Sequence, residues 1–375
     1  MSKKVLQLIK TYKSNAPLLN SMAKSPSGEF TTVACYLSGT DDGKNGMHAV
    51  AEKVIYSQIR KSKLYWTSWS TLKHVAKIID DNDIDLVVCQ FRRPIPIGAL
   101  SALISKRKPK VVGILHGIVG GDNGIARKLA NWIIYSFVSR LISVSNEGTK
   151  DIIRSNIGLT SDKVVPVPNG IQCERFLTDP QIPPETLFPN FYQGDFTFLM
   201  VGRLAPKKSH VVVLHAFAEL LKFHENAKLL IAGTGPVEQQ LRSLIDELGL
   251  LDNVSLLGFR DDVPALLHAC DVFLMPSLRE GLPLALMEAM VTGTPVITSD
   301  VIGMRELVPD ESFGYLADPT SISSVVIAMK QSITDAADTR VARGEKAKQR
   351  ILEKHTEKVM LENYESLYKE ALSEK

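Results

Sequence analysis

Two basic residues follow a short β-rich run near the middle of the chain. Arg203 comes directly after the run, in VGRLAPKKSH, and Lys208 lies five residues later, where a helical pattern begins. Free backbone N–H groups at a helix N-terminus favour an anion, and a guanidinium and an ammonium strengthen that preference. The loop therefore indicates a diphosphate site, although two solvated charges would explain the same residues if the loop stood alone.

A pair of glutamates occupies the segment SLREGLPLALMEAMVTGTPVITSD. Glu280 ends the loop after a strand, Pro283 suits the first turn of a helix, and Glu288 lies eight residues after Glu280. Carboxylates accept hydrogen bonds from vicinal sugar hydroxyls, and free amides at Leu282 and Leu284 can hold a phosphate. A helix-dipole role would explain Glu280 as well, but it explains Glu288 poorly, because the neighbours of Glu288 in the helix are apolar.

The motif GTGP, at 233–236, also stands between a strand and a helix. Its glycines, Gly233 and Gly235, would let the backbone approach a ligand closely. The motif is not a complete GxGxxG dinucleotide fingerprint, so a plain tight turn explains it when it is considered alone.

The elements that must position these residues alternate regularly between strands and helices. In the second half, predicted strands at 196–201, 228–233, 254–257, 272–275 and 295–298 are separated by helical patterns that include 237–248, 265–269 and 284–291. In the first half, the predicted strands are 5–9, 31–37, 84–89, 110–115, 141–144 and 164–167. Such alternation indicates doubly wound parallel sheets with helices on both faces.

The length favours two domains, because 375 residues exceed one ordinary compact core. We expect domains over 1–170 and 196–350, joined by the proline-rich linker 171–195. The last helical pattern covers 346–372, and the stretch 351–375 could cross back to the first domain. Open parallel sheets bind ligands at the carboxyl ends of their strands, so two such domains facing each other would enclose a cleft.

The motifs occur in the order found in one enzyme family. VGRL(x)3K, GTGP, GFRDDVPALLHACDVFLMPS and E(x)7E followed by GTPVI resemble the retaining glycosyltransferases of family 4, or glycosyl transferases group 1, which have the GT-B fold. The resemblance is close over 196–310 and includes PNGIQCERF at 168–176, which is similar to the family's PNGVD segment. It implies the α/β class, with two Rossmann-like domains facing a cleft: an acceptor-binding domain first and a nucleotide-sugar-binding domain second.

The resemblance also assigns roles to individual residues. Arg203 and Lys208 would hold the donor diphosphate, while Glu280 would touch the transferred sugar. Glu288 would bind the ribose hydroxyls, and the turn at 258–260 is similar to the segment that holds the base through its backbone. His116, in ILHG at a strand end, matches the family's sugar-facing histidine.

These roles define the expected site. The expected catalytic residues are Arg203, Lys208, Glu280 and His116. The expected donor-binding residues are Gly202, Gly233, Gly235, Gly258, Phe259, Arg260, Gly281, Leu282, Pro283, Leu284 and Glu288.

The chain departs from the family pattern at two places. Ser209 stands where a glycine commonly follows the lysine, and KTYKSNAPLLNSMAKSPSG replaces the glycine-rich loop expected after the first strand. Acceptor recognition is therefore the property that the resemblance transfers least. His116 taken alone would be interpreted as a buried or capping histidine, and only its strand-end position and the following glycine favour a site.

Composition limits the class of protein. With 45% hydrophobic and 23% charged residues, the chain is predicted to be globular rather than disordered or collagenous. No run approaches the roughly 20 apolar residues of a bilayer-spanning helix, and no signal peptide is expected. The four cysteines form no CxxC pair, which favours a reducing cytoplasm over a disulfide framework.

Charge is divided unevenly along the chain. Residues 1–170 hold 24 Lys and Arg against 12 Asp and Glu, a net charge of +12, while residues 171–375 carry −9. In this basic half, Arg60–Trp69 interleaves cations with Tyr65, Trp66 and Trp69, a pattern typical of an interfacial membrane contact. We expect an anionic membrane surface as partner and no nucleic acid, although RNA binding and a solvated face with some core aromatics would also fit.

A metal ion is not expected. DDNDID, at 80–85, contains two DxD candidates, but it precedes a strand and so lies at the wrong end of the sheet, where a solvated acidic turn explains it. Arg203 and Lys208 would neutralise the leaving diphosphate instead.

These features predict a cytoplasmic, metal-independent hexosyltransferase without cofactor, peripheral on the inner face of the cell membrane. It would move a hexose with retention from a nucleoside diphosphate sugar, expected to be a UDP-sugar, to a lipid-linked glycan or lipopolysaccharide-type acceptor in cell-surface polysaccharide biosynthesis. A UDP-sugar 2-epimerase of the same fold and a non-catalytic nucleotide-sugar-binding protein are the alternatives.

Overall fold

The computed structural model describes residues 2–12, 16–116, 124–178, 180, 182–188, 192–301 and 303–374. The chain divides into two compact units. Unit 1 comprises Met1–Gly170 and Glu357–Lys375, and unit 2 comprises Ile171–Thr356.

Unit 1 is built on a parallel sheet of seven strands within the described residues, in the order β3-β2-β1-β4-β5-β6-β7. The strands are β1 (Lys3–Thr11), β2 (Phe30–Ser38), β3 (Lys53–Tyr56), β4 (Leu86–Gln90), β5 (Lys110–Leu115), β6 (Arg140–Ser143) and β7 (Val164–Pro166). The helices between them are α1 (Pro17–Ser21), α2 (Trp69–Asp81), α3 (Pro94–Ile104), α4 (Ile125–Ser136) and α5 (Asn146–Ser155). The central strands are apolar runs because both faces of the sheet are covered.

Unit 2 has a parallel sheet of six described strands, in the order β10-β9-β8-β11-β12-β13. The strands are β8 (Phe196–Val201), β9 (Ala227–Ala232), β10 (Val254–Gly258), β11 (Val272–Met275), β12 (Val296–Ser299) and β13 (Tyr315–Ala317). The helices are α6 (Glu174–Leu177), α7 (Pro184–Leu187), α8 (His210–Leu221), α9 (Glu238–Glu247), α10 (Val263–Ala269), α11 (Leu284–Thr292), α12 (Ile322–Thr334) and α13 (Ala337–Lys354). Helices cover both faces of the sheet, with one apolar cluster on each. The predicted α/β class with two doubly wound parallel sheets is confirmed.

The prediction of one continuous helical stretch over 346–372 is wrong, because the structure has two helices there. The stretch is interrupted after α13 at His355, whose carbonyl accepts a hydrogen bond from the backbone of Ile171 at 2.9 Å. The chain then forms α14 (Glu357–Ser373). The periodicity of apolar residues continues across the break, so the pattern alone could not show it.

Helix α14 packs in unit 1 on the face of the sheet opposite α2–α5. Tyr364 and Tyr368 are buried there, and the ring of Tyr368 meets Phe30 edge to face, with 5.7 Å between centroids. The segment 171–195, which the sequence analysis assigns to a linker, belongs to unit 2, where Phe176 and Phe188 are buried in its core.

Two short strands were not predicted. β3 (KVIY) and β13 (YLA) each lie at the edge of a sheet and contain only 4 and 3 residues. Among the described residues, every helix is too short or too polar to span a bilayer.

Candidate active site

Three loops meet at the carboxyl edge of the unit 2 sheet, because β10, β9 and β8 are neighbours. The N–H of Gly202, after β8, donates to the carbonyl of Ala232 at 2.9 Å. The N–H of Gly233, after β9, donates to the carbonyl of Gly258 at 2.6 Å. The predicted glycines Gly202, Gly233 and Gly258 are thus brought together by backbone hydrogen bonds.

The GTGP glycines are required by this packing. Gly233 has φ +144°, and a Cβ on it would lie 1.8 Å from the carbonyl oxygen of Gly202. A Cβ on Gly235 would lie 2.1 Å from the carbonyl oxygen of Leu204. Since no side chain fits at either distance, the motif holds two loops in contact, which is more than a plain tight turn needs.

Lys208 and Glu280 form the charged centre of this edge. Lys208 Nζ lies 2.9 Å from Glu280 Oε1, and their side chains are only 14% and 11% exposed. The Lys208 ammonium also lies over the backbone of Gly202, 3.6 Å from where a Cβ would stand. Lys207 Nζ donates to Glu280 Oε2 at 3.1 Å. The sequence analysis missed Lys207, although the doubled lysine in APKKSH was its signal.

Arg203 follows β8 and is exposed. Within the part of the chain that the structure describes, its guanidinium has no hydrogen bond or ion pair. An exposed, unpaired guanidinium next to the largely buried lysine is suited to bidentate binding of an anion.

Ser209 adopts a left-handed conformation at the start of α8, with φ +55° and ψ +27°. This backbone explains why glycine is common at the position in the family that the sequence resembles. The Ser209 hydroxyl is buried without a hydrogen-bond partner in the described structure. Serine in place of glycine at position 209 therefore keeps the loop geometry, but the backbone of Ser209 is strained.

We expect Ser209→Gly to raise the free energy of unfolding by about 1 kcal/mol, because it removes left-handed strain and a buried unpaired hydroxyl, partly offset by a more flexible unfolded chain. Urea denaturation measures the change. Ser209→Ala is the control that removes the hydroxyl but retains the strain, and a glycine variant no more stable than the alanine variant would contradict the prediction.

His210 begins α8 directly after this serine and was not predicted as a site residue. Burial, with a smaller contribution from the Lys208 charge, lowers its pKa to about 4, while the Ala205 carbonyl opposes the shift. Nδ1 of the buried ring has no partner among the described residues. A neutral imidazole at this position adds no repulsion to the lysine.

The lowered pKa of His210 predicts acid sensitivity. A histidine with a folded-state pKa of about 4 and an unfolded value of 6.5 is protonated first in the unfolded chain. Its contribution to stability is therefore complete above pH 6.5 and is lost as the pH falls towards 4, up to about 3 kcal/mol. The pH dependence of urea midpoints measures this loss. His210→Asn should flatten the profile between pH 6.5 and 4, and an equally steep profile would contradict the assignment.

Glu288 lies on α11 with its carboxyl group largely enclosed. Burial raises its pKa, and the charge of Arg175 opposes this effect. Arg175 also donates to the carbonyl of Asp261 at 3.0 Å, so it joins the environment of Glu288 to the turn after β10. Arg175 lies within PNGIQCERF but was not predicted as a site residue.

The turn after β10 presents mainly backbone and one ring. Arg260 forms a two-point ion pair with Asp262, in which its Nε donates to Oδ1 at 2.7 Å. Its Nη1 also donates to the carbonyl of Leu187 at 3.4 Å. Because Arg260 is engaged in this way, Phe259, which is largely exposed, is the side chain that the turn offers to a ligand.

The Glu280 loop rests on a glycine that the sequence analysis missed. A Cβ on Gly303, which has φ +93°, would lie 2.3 Å from the Glu280 carbonyl oxygen and 2.7 Å from that of Gly281. Leu282 and Pro283 are buried behind this loop, and Leu284 begins α11. A glycine shortly after a predicted strand, in SDVIGMREL, was the available signal.

His116 directly follows β5 in unit 1 and is the first member of a chain of hydrogen-bonded, buried glutamine side chains. Its Nε2 lies 2.6 Å from Gln90 Oε1, Gln90 Nε2 donates to Gln7 Oε1 at 2.7 Å, and Gln7 Nε2 donates to the Met22 carbonyl at 3.2 Å. Since the Gln90 amide nitrogen is used on Gln7, its oxygen faces His116 and accepts from Nε2–H. Nδ1 of His116 is therefore the acceptor nitrogen.

Burial lowers the pKa of His116 to about 4, although the residue as a whole is only partly buried. The ring of Phe91 packs against it, with 4.3 Å between centroids. The glycine that follows His116 lies outside the described residues. His116 is thus a neutral, oriented hydrogen-bond acceptor at a strand end.

Comparison with known proteins identifies the family. Residues 186–350 match the model for glycosyl transferases group 1, and residues 30–175 match that for glycosyltransferase family 4. The chain is 35% identical to the UDP-Gal:alpha-D-GlcNAc-diphosphoundecaprenol alpha-1,3-galactosyltransferase of Escherichia coli, over 69% of this chain and 68% of that relative. The chain is a glycosyltransferase of family 4.

Solved structures agree with this assignment at the level of the fold. A glycosyltransferase from Rickettsia africae is similar with a TM-score of 0.84, 19% identity and full coverage of both chains. Anabaena Alr3699/HepE in complex with UDP and glucose is similar with a TM-score of 0.81 and 20% identity, over 98% of this chain and 100% of that one. The predicted GT-B fold and family are confirmed.

The acidic run of this glycosyltransferase, at 80–85, lies at the amino ends of the unit 1 strands. Asp80 accepts the backbone N–H of Lys106 at 2.9 Å, and Asp85 accepts that of Lys4 at 2.9 Å. These carboxylates therefore tie loops together. In the described ranges, no three His, Cys, Asp or Glu side chains are grouped so as to hold a metal ion.

The segment Arg60–Trp69 was predicted to contact a membrane, and such a contact requires exposed aromatic side chains. Tyr65, Trp66 and Trp69 are all exposed, whereas Leu64 is buried, and Lys73 Nζ lies 5.4 Å from the Trp69 ring centroid. The alternative in which these aromatics belong to the core does not hold.

Proposed function

We propose that this glycosyltransferase moves a hexose from a UDP-sugar to a lipid-linked glycan or lipopolysaccharide-type acceptor, with retention of the anomeric configuration and without a metal ion. The observation that carries the proposal is the largely buried Lys208–Glu280 pair beside the contacting glycine loops of unit 2. The E. coli relative, whose name specifies UDP-galactose and a diphosphoundecaprenol-linked acceptor, supports the donor and acceptor classes.

The donor diphosphate would bind at the start of α8. Lys208 would transfer part of its interaction from Glu280 to the phosphate oxygens, and Arg203 would close on them from solvent. Free N–H groups of the first turn of α8 add a favourable field. Glu280, relieved of part of its pairing, would accept hydrogen bonds from hydroxyls of the sugar, and Glu288 from those of the ribose.

The chemistry then needs charge stabilisation more than a nucleophile. The bond between the anomeric carbon and the β-phosphate oxygen breaks, and the acceptor oxygen bonds to that carbon on the same face. The acceptor proton passes to the departing phosphate oxygen, while Lys208 and Arg203 stabilise the negative charge that develops on the diphosphate. These two cations would perform the role that a divalent ion performs in other transferases.

His116 would accept a hydrogen bond from a sugar hydroxyl through Nδ1, and Gln90 would act as a positioning residue for it. We expect Gln90→Leu to lower kcat about tenfold with little change in KM for the donor, since it removes one orienting hydrogen bond. Gln90→Glu keeps an acceptor but adds a negative charge, which should raise the pKa of His116.

Only a neutral His116 can accept the hydrogen bond. As the pH is lowered, the activity of Gln90→Glu should therefore begin to fall at a higher pH than the activity of the wild type. Measuring kcat against pH for both variants tests this. If the acid limb of Gln90→Glu and the kcat of Gln90→Leu were both the same as in the wild type, Gln90 would have no part in the mechanism.

Donor binding and transfer test the proposal directly. UDP-, GDP- and ADP-sugars are compared for thermal stabilisation, where a ligand at 100 times its Kd should add about 2.7 kcal/mol. Transfer from the stabilising donor to membrane-extracted glycolipids is then measured with and without EDTA, and the anomeric configuration of the product is determined by NMR. An inverted product, or transfer that EDTA abolishes, would refute the corresponding part of the proposal.

A further inference from the structure

Lys207 and Lys208 are adjacent in the chain, but they meet Glu280 in different ways. Lys207 Nζ donates a hydrogen bond to Oε2 of Glu280 at 3.1 Å. Lys208 Nζ lies 2.9 Å from Oε1, yet in the part of the chain that the structure describes Oε1 is buried and accepts no hydrogen bond. The Lys208 ammonium therefore supplies charge at Oε1 rather than an aligned N–H. One oxygen of Glu280 is held by a donor, and the other is available to one.

The two lysines also differ in their surroundings. The Lys208 side chain is 14% exposed, and its ammonium lies 3.6 Å from where a Cβ on Gly202 would stand. The Lys207 side chain is 55% exposed, whereas that of Glu280 is 11% exposed. Lys208 thus lies over the glycine loops where the donor diphosphate is proposed to bind, and Lys207 reaches Glu280 from the solvent side. The carboxylate is placed between an inner and an outer cation.

The backbone of Lys207 supports the loop that carries Glu280. Its carbonyl accepts a hydrogen bond at 2.8 Å from the N–H of Leu278, two residues before Glu280. A second support is Gly303, which leaves no room for a Cβ against the Glu280 carbonyl. The main chain of the loop is therefore held by these two contacts, and the Lys207 ammonium sets the direction of the Glu280 side chain.

Donor binding gives the second lysine a purpose. In the proposed reaction, Lys208 turns from Glu280 towards the phosphate oxygens. Glu280 would then be a largely buried carboxylate beside another anion, and both the burial of an unpaired charge and the repulsion between like charges oppose this arrangement. Because Lys207 binds the other carboxylate oxygen, it can stay on Glu280 while Lys208 moves.

We propose that Lys207 is a positioning residue for the transferred sugar. It holds Glu280 through Oε2, so that Oε1 accepts a hydrogen bond from a sugar hydroxyl when Lys208 turns to the diphosphate. This inference rests on the proposed function, since it specifies how Glu280 is kept ready for the sugar. Lys207 itself touches neither the sugar nor the diphosphate.

Isothermal titration calorimetry of the full-length protein with UDP and UDP-galactose tests this role, because only the second ligand carries a sugar. Lys207→Met keeps the length of the side chain but removes its charge and its donor. It should lower the affinity for UDP-galactose relative to that for UDP about tenfold, the loss expected when one charge-assisted hydrogen bond is no longer oriented. Lys207→Arg should restore the wild-type ratio of affinities. Lys222→Met, at an exposed lysine paired with Glu219, should leave the ratio unchanged.

A double-mutant cycle shows whether Lys207 acts through Glu280. Glu280→Gln alone should lower the ratio of affinities, and adding Lys207→Met to it should cause no further decrease. A further decrease of similar size in the double variant would overturn the proposal. An equal weakening of UDP and UDP-galactose binding by Lys207→Met would also overturn it, because Lys207 would then be a third cation for the diphosphate.

Crystals grown without ligand separate this inference from the proposed function. In Lys207→Met, the Glu280 carboxylate should turn towards Lys208, whereas in Lys207→Arg it should keep its position. A carboxylate that stays in place in Lys207→Met would overturn the proposal, because Lys207 would not be holding it. If Glu280→Gln bound UDP-galactose as well as the wild type does, the sugar contact of the proposed function would fail, and the second half of this inference with it. The crystals would still decide whether Lys207 holds Glu280.

Discussion

Lys208→Ala should lower kcat on the order of 10²-fold or more while the protein stays folded. Lys208 is a largely buried cation, held 2.9 Å from Glu280, and in the proposed reaction it stabilises charge that appears only as the glycosyl bond breaks. A charge at the end of a flexible surface chain would be screened by water, whereas this one is largely enclosed. Steady-state kinetics with the donor identified by thermal stabilisation measures the loss.

In the described part of the chain, the same substitution leaves Glu280 with the exposed Lys207 as its remaining ion-pair partner. The control variant is Lys222→Ala on the same segment of chain, which breaks an exposed pair with Glu219 at the end of α8 and should leave kcat unchanged. Near-normal turnover by a folded Lys208→Ala protein would exclude this lysine from the mechanism. A loss of activity that follows a loss of folding would show that the pair is structural.

Gly233→Ala should destabilise unit 2 by about 3–5 kcal/mol and abolish donor binding. A Cβ at this position would lie 1.8 Å from the Gly202 carbonyl oxygen, and the backbone atom it meets cannot rotate away as a side chain could. The loop after β8 would have to move, and it carries both Arg203 and Lys208. Denaturant midpoints and UDP-induced thermal stabilisation measure the two effects.

Gly249→Ala is the matched control for this glycine. Gly249 also has a positive φ, +67°, but nothing lies within 4 Å of where its Cβ would stand. It should therefore cost only about 1 kcal/mol, the strain of a left-handed non-glycine residue, and leave donor binding intact. If Gly233→Ala and Gly249→Ala were equally stable, the contact between the β8 and β9 loops would not explain the need for glycine at position 233.

The order of elements and the charged centre of the site were predictable from local patterns. Strands such as β5 and β11 are runs of apolar residues between turn signals, and their ends place His116 directly after a strand and Glu280 in the loop that follows one. Motif order then indicated the family, which the comparisons confirm. Local sequence carries this information since strand and helix periodicity is a property of neighbouring residues.

Other features depend on which loops and strands meet in space. No pattern along the chain shows that Gly233 touches Gly202, that Gly303 supports the Glu280 carbonyl, or that Gln90 and Gln7 orient His116. The break at His355 was hidden for the same reason, because its cause is a hydrogen bond to Ile171. Residue types and their spacing thus determined the elements and supplied the side chains that the proposed chemistry uses. Packing between distant segments decided which glycines are indispensable, which tautomer a histidine holds and which aromatic side chains stay in water.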